Sequence, residues 1–392
     1  MSVSDAPIIA HCHLSWNGVW QRPQQFLSRL SRQHPVLFVE TSTCAGTGRA
    51  HAQILPAPGF PDVSILRMHF DLALWMGRQW NDQEKRRLLC EALAGPLRGR
   101  FERPIQWFYD PMAAPVFLGQ LGGRAVIYDC MDELSHFKFA PPELIERERL
   151  LLARADHVFA GGRRLCEAKS RFNAHCHFIG CGVDVEHFGR ARLDSTEIPA
   201  DIAGLRGPVL GYFGVVDERL DYKLIARLAD ARPDWNVVII GPVAKVDEAD
   251  FPRRANLHWL GARSYELLPA YTKAFDVCLM PFALNEATAY INPTKALEYM
   301  ATGTPIVSTA VADVVSNFSS VVDIAGDANE FIAACRAAIV VPDPIPIERG
   351  LRMAQSNTWD FLVARMEGYL NESLLQVEEV APVLGARRLV PA

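Results

Sequence analysis

The 392-residue sequence predicts an α/β protein: two doubly wound halves facing each other across a cleft. Two observations carry this, and a third bears on function. Short apolar runs of strand length alternate with amphipathic segments of helix length. The alternation lapses over residues 190–207 and then begins again. The turn after the first strand carries no Gly-x-Gly-x-x-Gly, and no Walker lysine loop occurs anywhere, which argues against both a dehydrogenase and a P-loop enzyme.

The first half opens with a buried strand over 7–14. Trp16-Asn17-Gly18-Val19-Trp20-Gln21-Arg22-Pro23 follows as a turn, and Pro23 suits the first turn of a helix over 24–32. Strands are expected at 36–40 and 63–68, separated by a long Gly-, Ala-, Pro- and Thr-rich loop over 41–59. Phe70, Leu72, Leu74, Trp75, Met76 and Trp80 come with few charges. A loop and helix packed into the core accounts for them; the alternative is a patch for an acceptor lipid or a membrane surface. A helix over 82–98 and strands at 105–109 and 125–129 come next, the last running into Cys130-Met131-Asp132-Glu133. Then come a charged helix at 143–154, a strand at 157–160, a helix at 164–171 and a strand at 177–179.

The second half begins after the 190–207 linker. Strands are expected at 209–213, 237–240, 257–260, 277–281, 305–308 and 321–324. Helices fall at 222–231, 265–273 and 330–339, with more to about 375. Residues 377–392 show no pattern and read as a flexible tail.

One stretch draws the chemistry together: Asn292-Pro293-Thr294-Lys295-Ala296-Leu297-Glu298-Tyr299-Met300-Ala301-Thr302-Gly303-Thr304-Pro305. It predicts a helix opened by Pro293 and stopped by Gly303, with Pro305 preventing its resumption. Leu297, Met300 and Ala301 share the inward face. A helix start carrying Thr294 and Lys295 suits a diphosphate, and Glu298, one turn on, can accept hydrogen bonds from ribose hydroxyls. That pairing is what a nucleotide-sugar requires. A capped surface helix with an exposed lysine is the plain alternative.

Composition excludes several classes. Formal net charge is −5, which gives no support for a nucleic-acid partner. No apolar run approaches the roughly 18 residues of a membrane span, and the N-terminus lacks a basic leader, so a cytoplasmic protein is expected, with the inner membrane face as a further place of work. Nine cysteines without a CxxC pair fit reduced thiols. His11-Cys12-His13 and His175-Cys176-His177 match no standard zinc spacing, so no metal site is expected.

In order, these pieces resemble the GT-B glycosyltransferases of the large family 4, and in particular a bacterial branch with W-x-x-V-W-Q-R-P-Q near its start and N-P-x-K-x-x-E-Y later. The matches are residues 16–24, Tyr128 to Glu133, Gly182-Val183-Asp184 with Phe188, Gly211-Tyr212-Phe213-Gly214, Leu260-Gly261 with Tyr265 and Leu268-Pro269, Asp276-Val277 with Pro281-Phe282, and 292–307. The resemblance implies an acceptor-binding N-terminal domain over 1–190 and a nucleotide-sugar-binding domain over 207–358. It also implies a last helix, 359–376, crossing back to the first domain. The implied reaction is transfer from a UDP- or GDP-sugar to a glycan or glycolipid hydroxyl, with retention and without a metal or other cofactor. The alternatives are a nucleotide-sugar epimerase of the same fold and a non-catalytic binder.

Two positions depart from the family pattern. Where many members carry Glu-x7-Glu, Glu298 supplies the second acid, but the first position is Tyr290. Glu286 lies nearby without a register argument. The usual basic pair after the first strand of the second domain is replaced by Gly214-Val215-Val216-Asp217-Glu218-Arg219. Arg219 is the remaining candidate diphosphate cation, beside Lys295; its alternative is a surface pair with Asp217 or Asp221. Residues 260–265, ending at Tyr265, are expected to wall the base, and Asn285 and Asn292 to bond sugar hydroxyls. Asp132 is the first candidate for a catalytic base and His13 the second, ahead of Glu133 and His136. A helix cap or turn is the alternative for Asp132, and with retention no side-chain base is needed. Gln21 and Arg22 are expected to face the cleft from the N-terminal side; for Arg22 the alternative is a bond to its own domain's acidic surface.

Overall fold

A computed structural model describes residues 6–44, 48–71 and 78–384. Two sheets form the two halves. The first has eight strands in the order β3-β4-β2-β1-β5-β6-β7-β8. These are β1 Ile8–His11, β2 Val36–Cys44, β3 His51–Ala57, β4 Phe60–Asp71, β5 Ile105–Phe108, β6 Ala125–Cys130, β7 His157–Ala160 and β8 Cys176–Phe178. The second has six, in the order β11-β10-β9-β12-β13-β14. These are β9 Val209–Phe213, β10 Asn236–Ile240, β11 Leu257–Gly261, β12 Val277–Met280, β13 Ile306–Thr309 and β14 Asp323–Ala325. Every pairing is parallel except β3 with β4. Parallel strands covered by helices on both faces read as continuous apolar runs, as β1, β5 and β10 do.

The expected loop over 41–59 is a correction. β2 runs on to Cys44, and β3 occupies much of the rest, antiparallel to β4. Its Pro56 and its mixed exposure hid it, and both are tolerated because β3 is an edge strand. Of the apolar stretch at 70–80, Leu72, Leu74, Trp75 and Met76 lie outside the described residues, as does the Trp80 side chain, so the proposed patch is not described.

The change-over between halves also falls earlier than 190–207. Val183 and Phe188 already pack in the core of the second half with Phe213 and Leu297. Burying a side chain such as Phe188 contributes roughly 1.5–3 kcal/mol, so it fixes where that domain begins. The chain returns beside the same point: Val183 N–H donates to Asn357 O at 3.0 Å. Trp359, Leu362, Val363, Met366 and Leu370 of helix Trp359–Leu384 then join the first half's core. This helix crosses back and extends to Leu384, beyond the 376 end expected from sequence.

Candidate functional site

The carboxyl ends of the parallel strands face a cleft of about 490 Å³ between the halves. The floor on the C-terminal side is helix Lys295–Thr302. Thr294 is its N-cap and Lys295 its first helical residue, so Pro293 stands one position ahead of the cap and not inside the first turn. The backbone N–H groups of Thr294 and Lys295 have no partner among the described residues, as first-turn donors of a helix must unless capped. Gly303 ends the helix in the left-handed region at φ 76°. Leu297, Met300 and Ala301 are buried, as the periodicity predicts. Tyr299 adds a pin: its hydroxyl accepts the Phe213 N–H at 3.1 Å, tying the helix to the end of β9.

Lys295 rises from this start into the cleft, half-buried, with Nζ 5.6 Å from the Tyr212 ring centroid. Gly214 makes this possible. A Cβ there would fall 2.0 Å from Lys295 Cε, and its φ of 146° suits glycine. Lys295 forms no ion pair among the described residues. Burial lowers its pKa, with Arg219 adding to the effect and Glu298 opposing it. Burial pushes the Glu298 carboxyl up to about 7, against the pull of Lys295. Glu298 also lines the cleft.

Arg219 lines the same wall but is held differently. Nε and Nη2 bond the Asp217 carboxylate, the latter at 2.7 Å, and Asp217 is only 4% exposed. The pairing foreseen with Asp217 therefore occurs inside the cleft and not at the surface. Asp221 instead caps helix Tyr222–Ala231 through Leu224 N–H.

On the N-terminal side, Gln21 caps helix Arg22–Leu30 and lines the cleft. Arg22 is buried. Its Nε bonds Asp129 at 2.7 Å, and Nη1 donates to the Ile179 and Gly180 carbonyls at 2.7 and 2.6 Å. Nη2 is buried without a partner among the described residues, on a side chain that borders the cleft. Its counter-charge is a buried carboxylate of its own domain, not an acidic surface.

Asp132 borders the cleft and caps no helix; Glu133 is the cap of the short turn that follows. The Asp132 carboxylate accepts no hydrogen bond among the described residues. Burial raises its pKa, while Arg219, His13 and Arg22 pull it down. His13 is exposed and does not line the cleft, so its place as a candidate base is not supported. Glu133 is bonded to Lys169 at 2.6 Å. His136 reaches the Glu286 carbonyl at 3.2 Å, so Nδ1 carries the proton there.

Tyr265 lines the cleft, stacked on His187 with centroids 4.1 Å apart. Ala262, Arg263 and Ser264 continue that wall. The two asparagines differ from expectation. Asn292 borders the cleft, but its amide donates to Gly161 O at 3.1 Å across the domain interface. Asn285 caps the turn Glu286–Thr288 and bonds Glu218 O, away from the cleft. Tyr290 also lies in the interdomain seam, under the Arg164 guanidinium, 5.3 Å from its ring centroid. Sequence reasoning missed Asp129 as the partner of Arg22. Asp129 is the next-to-last residue of an otherwise uncharged, mostly buried strand, and an acid there demands a cation.

Comparisons with known proteins bear on this geometry. Residues 207–339 match the family model described as Glycosyl transferases group 1. A Bacillus subtilis (strain 168) protein named as a putative teichuronic acid biosynthesis glycosyltransferase, TuaH, is 26% identical over 234 residues, taking in 55% of this chain and 57% of that protein. A sucrose-phosphate synthase structure from Thermosynechococcus elongatus superposes with a TM-score of 0.70 at 16% identity, covering 95% of this chain and all of that one (100%). A trehalose-6-phosphate structure from E. coli, bound with UDP-2-fluoro glucose, gives 0.68 at 13% identity, covering 93% and 99%. The shared architecture is GT-B.

Proposed function

We propose that the chain, whose residues 207–339 match the group 1 glycosyl transferases, transfers a sugar from a nucleoside-diphosphate donor, UDP- or GDP-linked, to a glycan or glycolipid hydroxyl. The observation that carries this reading is the start of helix Lys295–Thr302: among the described residues, two N–H groups without a partner and a lysine without an ion pair, at the cleft.

Glycosyl transfer leaves negative charge on a departing diphosphate while the anomeric carbon becomes oxocarbenium-like. Donors fixed in advance stabilise that charge without reorganising. Lys295, the N–H groups of Thr294 and Lys295, and Nη1 of Arg219, which has no hydrogen-bond partner among the described residues, supply them from the C-terminal side. The free Nη2 of Arg22 supplies another from the opposite wall. These cations suit a reaction that needs no metal; turnover unchanged by a chelator would support this, and restoration by added divalent ions would refute it. Glu298 receives the ribose hydroxyls. Its pKa near 7 keeps enough carboxylate at neutral pH to accept them. The wall at 262–265 takes the base through backbone groups.

Asp132 approaches the acceptor hydroxyl from the N-terminal side. With retention of configuration, the leaving phosphate itself takes the hydroxyl proton, and Asp132 then orients the acceptor. Tyr290 holds none of the sugar, so donor-sugar recognition falls to other groups. The TuaH likeness favours polysaccharide or cell-surface glycan assembly; the cytoplasmic face of the membrane is the place of work that goes with this proposal. The test is a thermal-shift screen of nucleotide-sugars followed by calorimetry with UDP and GDP. Failure to bind either nucleotide at millimolar concentration overturns the reading. Sugar epimerised without an acceptor would make the protein an epimerase instead.

A further inference from the structure

Helix Arg163–Lys169 belongs to the N-terminal half, yet groups that bear on the cleft hold both of its ends. At its start, the Asp313 carboxylate of the other domain accepts the N–H of Arg163 at 2.7 Å and of Arg164 at 3.4 Å. The helix has no side-chain cap of its own, because its N-cap is Gly162. First-turn N–H groups need an acceptor, and a carboxylate also meets the positive end of the helix dipole. Gly162 leaves the room: a Cβ there would meet Asp313 Oδ2 at 2.7 Å and the Tyr290 carbonyl oxygen at 2.9 Å. Asp313 is 1% exposed.

The same helix start grips the strand of chain that leads into the anion site. Arg164 Nη1 donates to Ala289 O at 3.0 Å and its guanidinium covers the Tyr290 ring. Asn292 donates to Gly161 O, and the Cys181 thiol donates to Asn292 O at 3.2 Å. Thr294 and Lys295 follow two and three residues on. The far end of the helix is anchored by buried Lys169, which bonds Glu133 at 2.6 Å and Glu148 at 2.7 Å. Glu133 is the chain neighbour of Asp132.

We propose that helix Arg163–Lys169 is a strut across the domain interface that fixes the diphosphate grip relative to the Asp132 loop, with Asp313 as its positioning residue. What the two ends serve rests on the transferase reading; the interdomain tie does not. Asp313→Ala removes the tie. UDP should then bind about tenfold more weakly, because the helix start that meets the phosphates is no longer held. Uridine, which has no phosphate, should bind within about twofold of wild type. Asp313→Asn keeps an acceptor oxygen and should recover most of the UDP affinity. Small-angle scattering should show a larger radius of gyration for Asp313→Ala than for wild type. Wild-type scattering together with wild-type UDP affinity in that variant overturns the strut. If the wild-type protein binds neither UDP nor GDP, the transferase reading fails, and the scattering comparison alone decides the tie. Should Asp313→Ala not fold, Arg164→Met at an exposed position takes its place. It should lose the same preference for UDP over uridine, and an unchanged preference overturns the proposal.

Discussion

Lys295 and Arg219 stand on one wall of the cleft and are held in opposite ways. Arg219 has a counter-charge of its own in Asp217, bonded through two of its nitrogens. Lys295 has none among the described residues, and its burial lowers its pKa. A cation with a built-in partner is already satisfied before any ligand arrives; one without a partner gains most from an arriving anion. The same contrast crosses the cleft, where Arg22 is paired with Asp129. On the proposed reading the arginines build the walls, and the lysine is the cation with most to gain from a diphosphate.

The contrast can be broken in several ways. The largest effect should be on stability: Arg22→Met leaves Asp129 buried without its cation and should cost roughly 3–5 kcal/mol in a denaturant titration. Adding Asp129→Asn should return much of that loss. If Arg22→Met is as stable as wild type, the pair does not hold the wall. Next comes Lys295→Ala, expected to weaken UDP binding by roughly 1.5–3 kcal/mol with little change in melting temperature. Arg219→Ala should cost less than Lys295→Ala; the reverse order, measured by calorimetry, would invert the comparison.

Glu298 sharpens it through pH. Its pKa near 7 means that the carboxylate takes up a proton between pH 8 and pH 6. UDP affinity should fall over that range by up to about tenfold, and the fall should vanish in Glu298→Gln. The sign for stability is opposite. A carboxyl whose pKa is raised by folding stabilises the fold below its ordinary pKa and loses that contribution as pH rises through 7. Glu298→Gln should therefore melt above wild type at pH 8. The smallest effect belongs to Tyr290→Phe, which should leave nucleotide affinity within about 0.5 kcal/mol, since that ring lies in the seam.

What was legible in the sequence was what is local. The helix from Lys295 to its stop at Gly303, its inward face and the cleft position of Glu298 follow from spacing within one segment. The alternation of strands and helices gave the two-sheet architecture for the same reason. Tertiary partners were not legible. Arg22 and Asp129 are 107 residues apart, and nothing near Arg22 announces that its cation faces a buried carboxylate. Asn292 reads as a sugar ligand until the other domain brings Gly161 to its amide. β3 was hidden because an edge strand carries Pro56 and polar residues that also spell a loop.

The two passages of the chain between lobes run side by side, joined where Val183 meets Asn357 and Thr358. Two tethers at a single place act as one pivot. These connections restrain sliding of the lobes more than rotation about that point, and the Asp313 tie opposes the rotation. In such a rotation, groups beside the pivot, such as Cys181 and Trp359, would travel least.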